Sequence, residues 1–172
     1  MNTSKPSSNS PQQNGIKTYW PLLLIAIYIL LVSFFSNFSA AGIAWHGWMN
    51  DFMAGFFLVF SAFKFLDLAG FAEAYASYDL LAEKWRFYGY LYPFLELALG
   101  LAYLTHFSPR ITYTATIVLM GFSSIGVIKA LRLGRKFQCA CLGTILKLPM
   151  SSITLIEDLL MVAMALIMLM LL

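Results

Sequence analysis

The sequence contains little charge. Only 11% of its 172 residues are Asp, Glu, Lys or Arg, whereas 60% are hydrophobic; a typical soluble domain carries about 25% charged residues. A soluble fold of this length could not bury so much apolar surface, so we expect a protein embedded in the lipid bilayer. The few basic residues flank the apolar runs instead of forming a patch, which argues against a nucleic-acid partner.

Several familiar sites are also missing from the sequence. It has no phosphate-binding loop, no His-Glu metal motif and no nucleophile–base pair outside its thiols, which disfavours a conventional hydrolase. Two cysteines are too few for a disulfide framework. Residues 1–18 are polar and predict a disordered tail without the pattern of a secretory signal.

Five apolar runs are long enough to cross a bilayer, which requires about 20 helical residues. The sequence therefore predicts an all-α, polytopic membrane helical bundle over residues 19–172. The predicted spans are about 19–40, 48–68, 87–107, 111–130 and 152–172. Residues 69–86 alternate charged and aromatic positions and predict an amphipathic surface segment, whose aromatic stripe is typical of packing. Residues 131–151 form the loop that contains both cysteines.

The basic residues predict the orientation of the bundle. With the N-terminus inside and the C-terminus outside, nine of the eleven Lys and Arg residues lie on the cytoplasmic side. Arg110 alone lies on the other side, and Lys64 is embedded. The positive-inside rule favours this N-in/C-out arrangement, in a multi-pass protein of a bacterial-type inner membrane.

Charged residues inside the predicted spans mark a candidate site. Lys64 and Asp67 lie near the end of the second span and are close enough along a helix to pair, although Lys64 could instead extend its ammonium to the nearby interface. Glu96 lies well inside the third span, where its ionised form is costly, so we expect it to be protonated, paired with a basic residue or exposed to water. Lys64 is the obvious candidate for its partner. Glu157 and Asp158 open the fifth span in the same leaflet. We expect these five residues to form one polar cluster below the cysteine loop.

Cys139 and Cys141 are the predicted reactive residues. Basic residues precede them closely, and nearby cations favour the reactive thiolate. A disulfide between them would close a small, strained ring that is easily reduced, which suits thiol–disulfide exchange and makes the chain a possible oxidoreductase. The pair could instead bind a soft metal such as Cu(I), or be two inert loop cysteines. The metal alternative would use Cys139, Cys141, Met161, Met164 and Met168.

Four stretches of the sequence together resemble the MauE/DoxX family of redox-associated membrane proteins. These stretches are Ala62-Phe63-Lys64-Phe65-Leu66-Asp67, then Gly70-Phe71-Ala72 with Tyr78-Asp79, then Pro93-Phe94-Leu95-Glu96-Leu97-Ala98-Leu99-Gly100, and Cys139-Ala140-Cys141-Leu142-Gly143. The resemblance covers about residues 50–172 and implies a four-helix unit, to which the first span is added. It also implies a link to thiol redox or to the maturation of disulfide-containing partners, sometimes alongside glutaredoxin-like or heavy-metal-associated domains.

Three functions remain open from the sequence. The first is thiol–disulfide exchange with a thioredoxin-like or glutaredoxin-like protein, which needs no cofactor. The second is soft-metal transport or chaperoning, for which a heavy-metal-associated protein would be the partner. The third is a non-catalytic assembly subunit, in which neither cysteine would be required.

Overall fold

A computed structural model describes residues 20–39, 42–133 and 152–172. This part of the chain is mostly helical, with one short antiparallel hairpin that the sequence did not predict. The helices are α1 (Trp20–Ser36), α2 (Trp45–Leu66), α3 (Leu68–Ala76), α4 (Leu80–Lys84), α5 (Arg86–Leu104), α6 (Pro109–Arg132) and α7 (Ser152–Met170). The hairpin consists of β1 (Phe38–Ser39) and β2 (Gly42–Ile43), between α1 and α2.

Two antiparallel helix pairs form the bundle. The first is α2 with α5, and the second is α6 with α7. The start of α2 meets the end of α5 where the Asn50 amide donates to the Tyr103 carbonyl at 2.8 Å. At the other end of this pair, Lys64 reaches Glu96. We call these the histidine end, which also carries His46 and His106, and the lysine end, where α2 and α6 finish and α7 begins.

The apolar core lies between these pairs and is closed by α1. Ile29 of α1 sits directly over Gly55 of α2, so the two helices approach closely. Phe57 and Tyr103 stack across α2 and α5 with ring centroids 5.9 Å apart, and Tyr103 stacks on Tyr113 of α6 at 5.8 Å. These large buried rings join helices from both pairs, because each stack crosses from one helix to the next.

The segment predicted to be amphipathic forms two short helices. The Asp67 side chain accepts a hydrogen bond from the Gly70 backbone N–H and begins α3. The Asp79 side chain accepts from the N–H groups of Leu81 and Ala82 and begins α4. Both are N-cap contacts of the kind that satisfies the free donors of a helix start. The aromatic face of α3 packs against α5, as a packing stripe should.

Two of the described helices have the length and mean hydropathy of a membrane span. They are α2, with mean hydropathy 1.3, and α6, with mean hydropathy 1.7. At 17 residues, α1 is a shorter apolar helix. Exposed large hydrophobic side chains such as Tyr28, Phe35, Val118 and Ile125 cover the outside of these helices, as expected for surfaces that face lipid.

Candidate functional site

The centre of the candidate site is a buried ion pair near the lysine end. The ammonium of Lys64, in the last turn of α2, lies 2.5 Å from both carboxylate oxygens of Glu96 on α5. The two side chains are only 7% and 3% exposed. A buried charge requires a partner with good geometry, and each of these residues supplies it to the other. The pairing of Lys64 with Glu96 expected from the sequence is therefore present.

Aromatic rings enclose the lysine on its other sides. The Lys64 Nζ atom lies 5.3 Å from the centre of the Phe71 ring and 5.1 Å from that of Tyr92, within the range of cation–π attraction. Phe71 stacks on Tyr75 at 5.3 Å, and Tyr75 lies 4.5 Å from Tyr92. The stripe on α3 thus packs as the sequence indicated, and it also forms a wall of the site.

A cavity of about 30 Å³ opens beside the ion pair. This volume holds about two water molecules. Five helices contribute polar groups to its lining: α2, α3, α5, α6 and α7. The polar lining consists of Lys64, Glu96, Ser123, Thr154, Glu157 and Asp158 with three tyrosines, Tyr75, Tyr78 and Tyr92. The structure therefore brings four of the five predicted cluster residues to one cavity.

Asp67 is the exception. The sequence placed it on the helix face of Lys64, but α2 ends at Leu66 and the Asp67 backbone turns away at φ −143° and ψ 72°. Its carboxylate accepts from the Gly70 N–H at 3.0 Å and caps α3. The three-residue helical spacing therefore does not extend to Asp67, and Glu96 is the acid that holds Lys64.

The Tyr75 hydroxyl of α3 is a buried part of the cavity lining. Burial raises the pKa of the Tyr75 hydroxyl well above its ordinary value, and the neighbouring Tyr92 and Asp79 raise it further. Tyr92 donates to the sulfur of Met120 at 3.8 Å. Sequence reasoning missed Tyr92, Met120 and Ser123, because the approach of Tyr92 on α5 to α6 is a tertiary contact that the periodicity of one helix cannot predict.

The three methionines of the metal alternative lie in the apolar core. Met161 and Met168 are almost completely buried, and Met164 packs against the same cluster. Their shared helix face is thus used for packing. Within residues 20–39, 42–133 and 152–172, no group of three His, Cys, Asp or Glu side chains is placed to hold a metal ion. Cys139 and Cys141 lie outside the described residues.

A separate polar network occupies the histidine end. His46 lies 3.4 Å from the Tyr113 hydroxyl, and His106 lies 3.4 Å from the Asn50 amide. Both histidines are exposed, whereas Asn50 and Tyr113 are buried. The network joins the starts of α2 and α6 to the end of α5 and lies at the opposite end of the bundle from Lys64.

Comparison with models of known protein families gave a match that covers most of the chain. The model of the family described as "Methylamine utilisation protein MauE" matches residues 43–171. The match begins at the hairpin after α1 and covers every residue of the cavity. A search of curated proteins and a search of solved structures each gave no match.

Proposed function

The chain belongs to the MauE family of membrane proteins, and from that premise we propose that it performs thiol–disulfide exchange at the cytoplasmic face of a bacterial-type inner membrane. Cys139 and Cys141 are the proposed reactive residues. A thioredoxin-like or glutaredoxin-like protein is the proposed partner. The observation that carries this proposal is the polar cavity at the lysine end, where the connection containing both cysteines joins α6 to α7.

The proposed topology has five spans with the lysine end in the cytoplasm. The exposed residues Lys84, Arg86, Lys129 and Arg132 lie at this end, and Arg110 lies at the histidine end. Cytoplasmic loops of membrane proteins are enriched in Lys and Arg, so this distribution supports the orientation. The antiparallel pairing of α2 with α5 and of α6 with α7 is consistent with consecutive crossings.

The proposed exchange is a two-electron reaction. A thiolate of the partner attacks one sulfur of the Cys139–Cys141 disulfide, and the other sulfur leaves as a thiolate. The second partner thiol then displaces the first cysteine and closes the partner's own disulfide. The partner loses two electrons and two protons, and the cysteine pair gains them. The reaction is reversible, so the partner's redox state sets its direction.

The cavity supports this chemistry because its acidic groups can accept and return protons close to the proposed reaction. Lys64 and Glu96 form a closed, neutral pair, while Glu157 and Asp158 are two further acids on the first turns of α7. Thiol exchange releases and consumes protons, and carboxyl groups with room for water can accept them. The proposed role of these acids is therefore proton transfer, and that of Lys64 is to hold Glu96 in place.

Topology can be tested by labelling with a membrane-impermeant maleimide. In intact spheroplasts, we expect Cys139 and Cys141 to be protected, and in inverted vesicles we expect them to react. The matched control is Thr105→Cys in a variant without the native cysteines, because Thr105 is exposed at the histidine end. It should show the opposite pattern. Labelling of the native cysteines in spheroplasts would overturn the proposed orientation.

The exchange itself can be tested by alkylation mass shift in native membranes. Mild oxidant should protect two thiols, and reductant should release both. The single variants Cys139→Ser and Cys141→Ser should each trap a mixed disulfide with the partner through the remaining thiol. A pair that stays reduced under oxidant would contradict the proposal.

Two other results would point to the alternatives. A soft metal that copurifies with the protein, and is lost when both cysteines are replaced by serine, would favour metal transport or chaperoning. Normal partner levels and activity in the double serine variant, together with their loss on deletion of the protein, would favour an assembly subunit.

A further inference from the structure

A second cavity lies on the lipid-facing side of the bundle, in the half that contains the histidine end. It is a groove of about 830 Å³ between α5 and α6. Three of its lining residues have small side chains: Ala98 and Ala102 of α5 and Ala115 of α6. These two helices pack mainly on α2 and α7 rather than on each other, which leaves the space between them open.

The walls of the groove are effectively apolar even at its two threonines. Thr112 and Thr114 both line it, but the Thr112 hydroxyl donates to the Phe107 carbonyl at 2.7 Å and the Thr114 hydroxyl donates to the Arg110 carbonyl at 2.8 Å. Each hydroxyl already donates to a backbone carbonyl, so it does not need a hydrogen-bond acceptor from a molecule bound in the groove. The interior of the groove therefore suits hydrocarbon.

One cation marks the open end of the groove. Arg110 lines it at the first turn of α6 and is exposed. Within residues 20–39, 42–133 and 152–172, no carboxylate lies within ion-pairing distance of its guanidinium. Asp51 is the only acidic residue near this end among the described elements, and its carboxylate accepts from Asn37. The guanidinium is thus available to an anion from the membrane.

The length of the groove matches that of a lipid acyl chain. Its lining runs from residue 95 to 102 on α5 and from 110 to 119 on α6, which is about 11 Å and about 14 Å at 1.5 Å per residue. One leaflet of a bilayer has a hydrocarbon thickness of about 15 Å, half of the whole. The lining therefore spans about the hydrocarbon length of one leaflet, which one lipid acyl chain can fill.

From this match of length, wall and charge, we propose that the groove binds an anionic phospholipid. One acyl chain lies between α5 and α6, and the phosphate of the headgroup pairs with Arg110. Basic residues beside grooves between membrane helices recognise anionic headgroups in this way. The site lies in the leaflet of the histidine end, opposite the cavity of Lys64, and does not depend on the thiol chemistry proposed above.

Native mass spectrometry of the delipidated full-length protein in detergent tests the proposal. The probes are phosphatidylglycerol and phosphatidylcholine with identical acyl chains. We expect a single tight adduct with phosphatidylglycerol, and we expect Arg110→Gln to weaken it about fivefold, the value of one interfacial cation. The weaker adduct with phosphatidylcholine should not change. Arg132→Gln, a matched replacement at the lysine end, should leave both adducts unchanged.

A second variant tests the groove itself. Ala115→Phe places a large ring in the lining of the groove and should remove both adducts while Arg110 remains in place. Equal binding of the two lipids by the wild-type protein, or unchanged phosphatidylglycerol binding by Arg110→Gln, would overturn the proposal. A dimer that Ala115→Phe converts to a monomer would also overturn it, because a second copy would then occupy the groove. Should Ala115→Phe fail to fold, the result for Arg110→Gln decides alone.

Discussion

Lys64→Met should destabilise the protein more than Glu96→Gln does, although both break the same ion pair. Loss of the ammonium leaves the Glu96 carboxylate, whose side chain is 3% exposed, without its counter-charge. Removing one partner of a buried pair costs about 3–5 kcal/mol of unfolding free energy. We expect Lys64→Met to lie in this range.

Glu96→Gln is expected to be milder for two structural reasons. The amide oxygen can still accept from Lys64 Nζ, and the ammonium keeps its contacts with the Phe71 and Tyr92 rings. Cation–π contacts are worth about 0.5–2 kcal/mol each, so the expected loss is about 2–3 kcal/mol. In the double variant the uncompensated charge is gone, and we expect a coupling free energy of about 2 kcal/mol or more.

Equilibrium unfolding in mixed detergent micelles, followed by tryptophan fluorescence, measures these differences. The exposed pair of Lys129 and Glu83 is the matched control, since its atoms lie 3.9 Å apart and its side chains are 52% and 45% exposed. Its double-variant cycle, with Lys129→Met and Glu83→Gln, should give a coupling of at most about 1 kcal/mol. Equal losses for Lys64→Met and Glu96→Gln, with no coupling between them, would refute the reasoning.

Three further predictions use the same unfolding assay. Gly100→Ala should cost about 1–3 kcal/mol because a Cβ there would lie 2.9 Å from the Leu58 side chain, whereas Gly121→Ala, with nothing within 4 Å, should be neutral or stabilising. Asp79→Ala should cost about 1–2 kcal/mol because it removes the N-cap of α4. Met161→Leu should cost less than about 1.5 kcal/mol, as a core replacement of similar volume. A larger loss together with loss of bound metal would favour the metal alternative.

The helices and the central pair could be predicted from the sequence for a simple reason. A charged residue inside an apolar run needs a counter-charge or contact with water, so a pairing of Lys64 with Glu96 was one of few acceptable arrangements. The family resemblance stated from the motifs around these residues was confirmed by the match over residues 43–171. The number of spans and their orientation stay predictions.

Other features of the fold and the site depend on backbone geometry and tertiary contacts, which the sequence pattern does not reveal. The end of α2 is set by the backbone at Asp67, where neither Gly nor Pro gives a signal, so its role as a cap was missed. The approach of Tyr75 to Tyr92 is a tertiary contact between α3 and α5, which periodicity along one helix cannot predict. The short hairpin at Phe38–Ser39 is also too brief to leave a strand pattern.

The position of the ion pair along the chain has a consequence for biogenesis. Lys64 and Glu96 are separated by 32 residues, so the lysine leaves the ribosome before its counter-charge has been made. It lies in the last turn of its helix and can extend its ammonium to the headgroups during that interval. Glu96 lies deeper in its own helix and has a shorter side chain, so it cannot reach the headgroups as Lys64 can. Its counter-charge during insertion is the Lys64 ammonium, which has already entered the membrane.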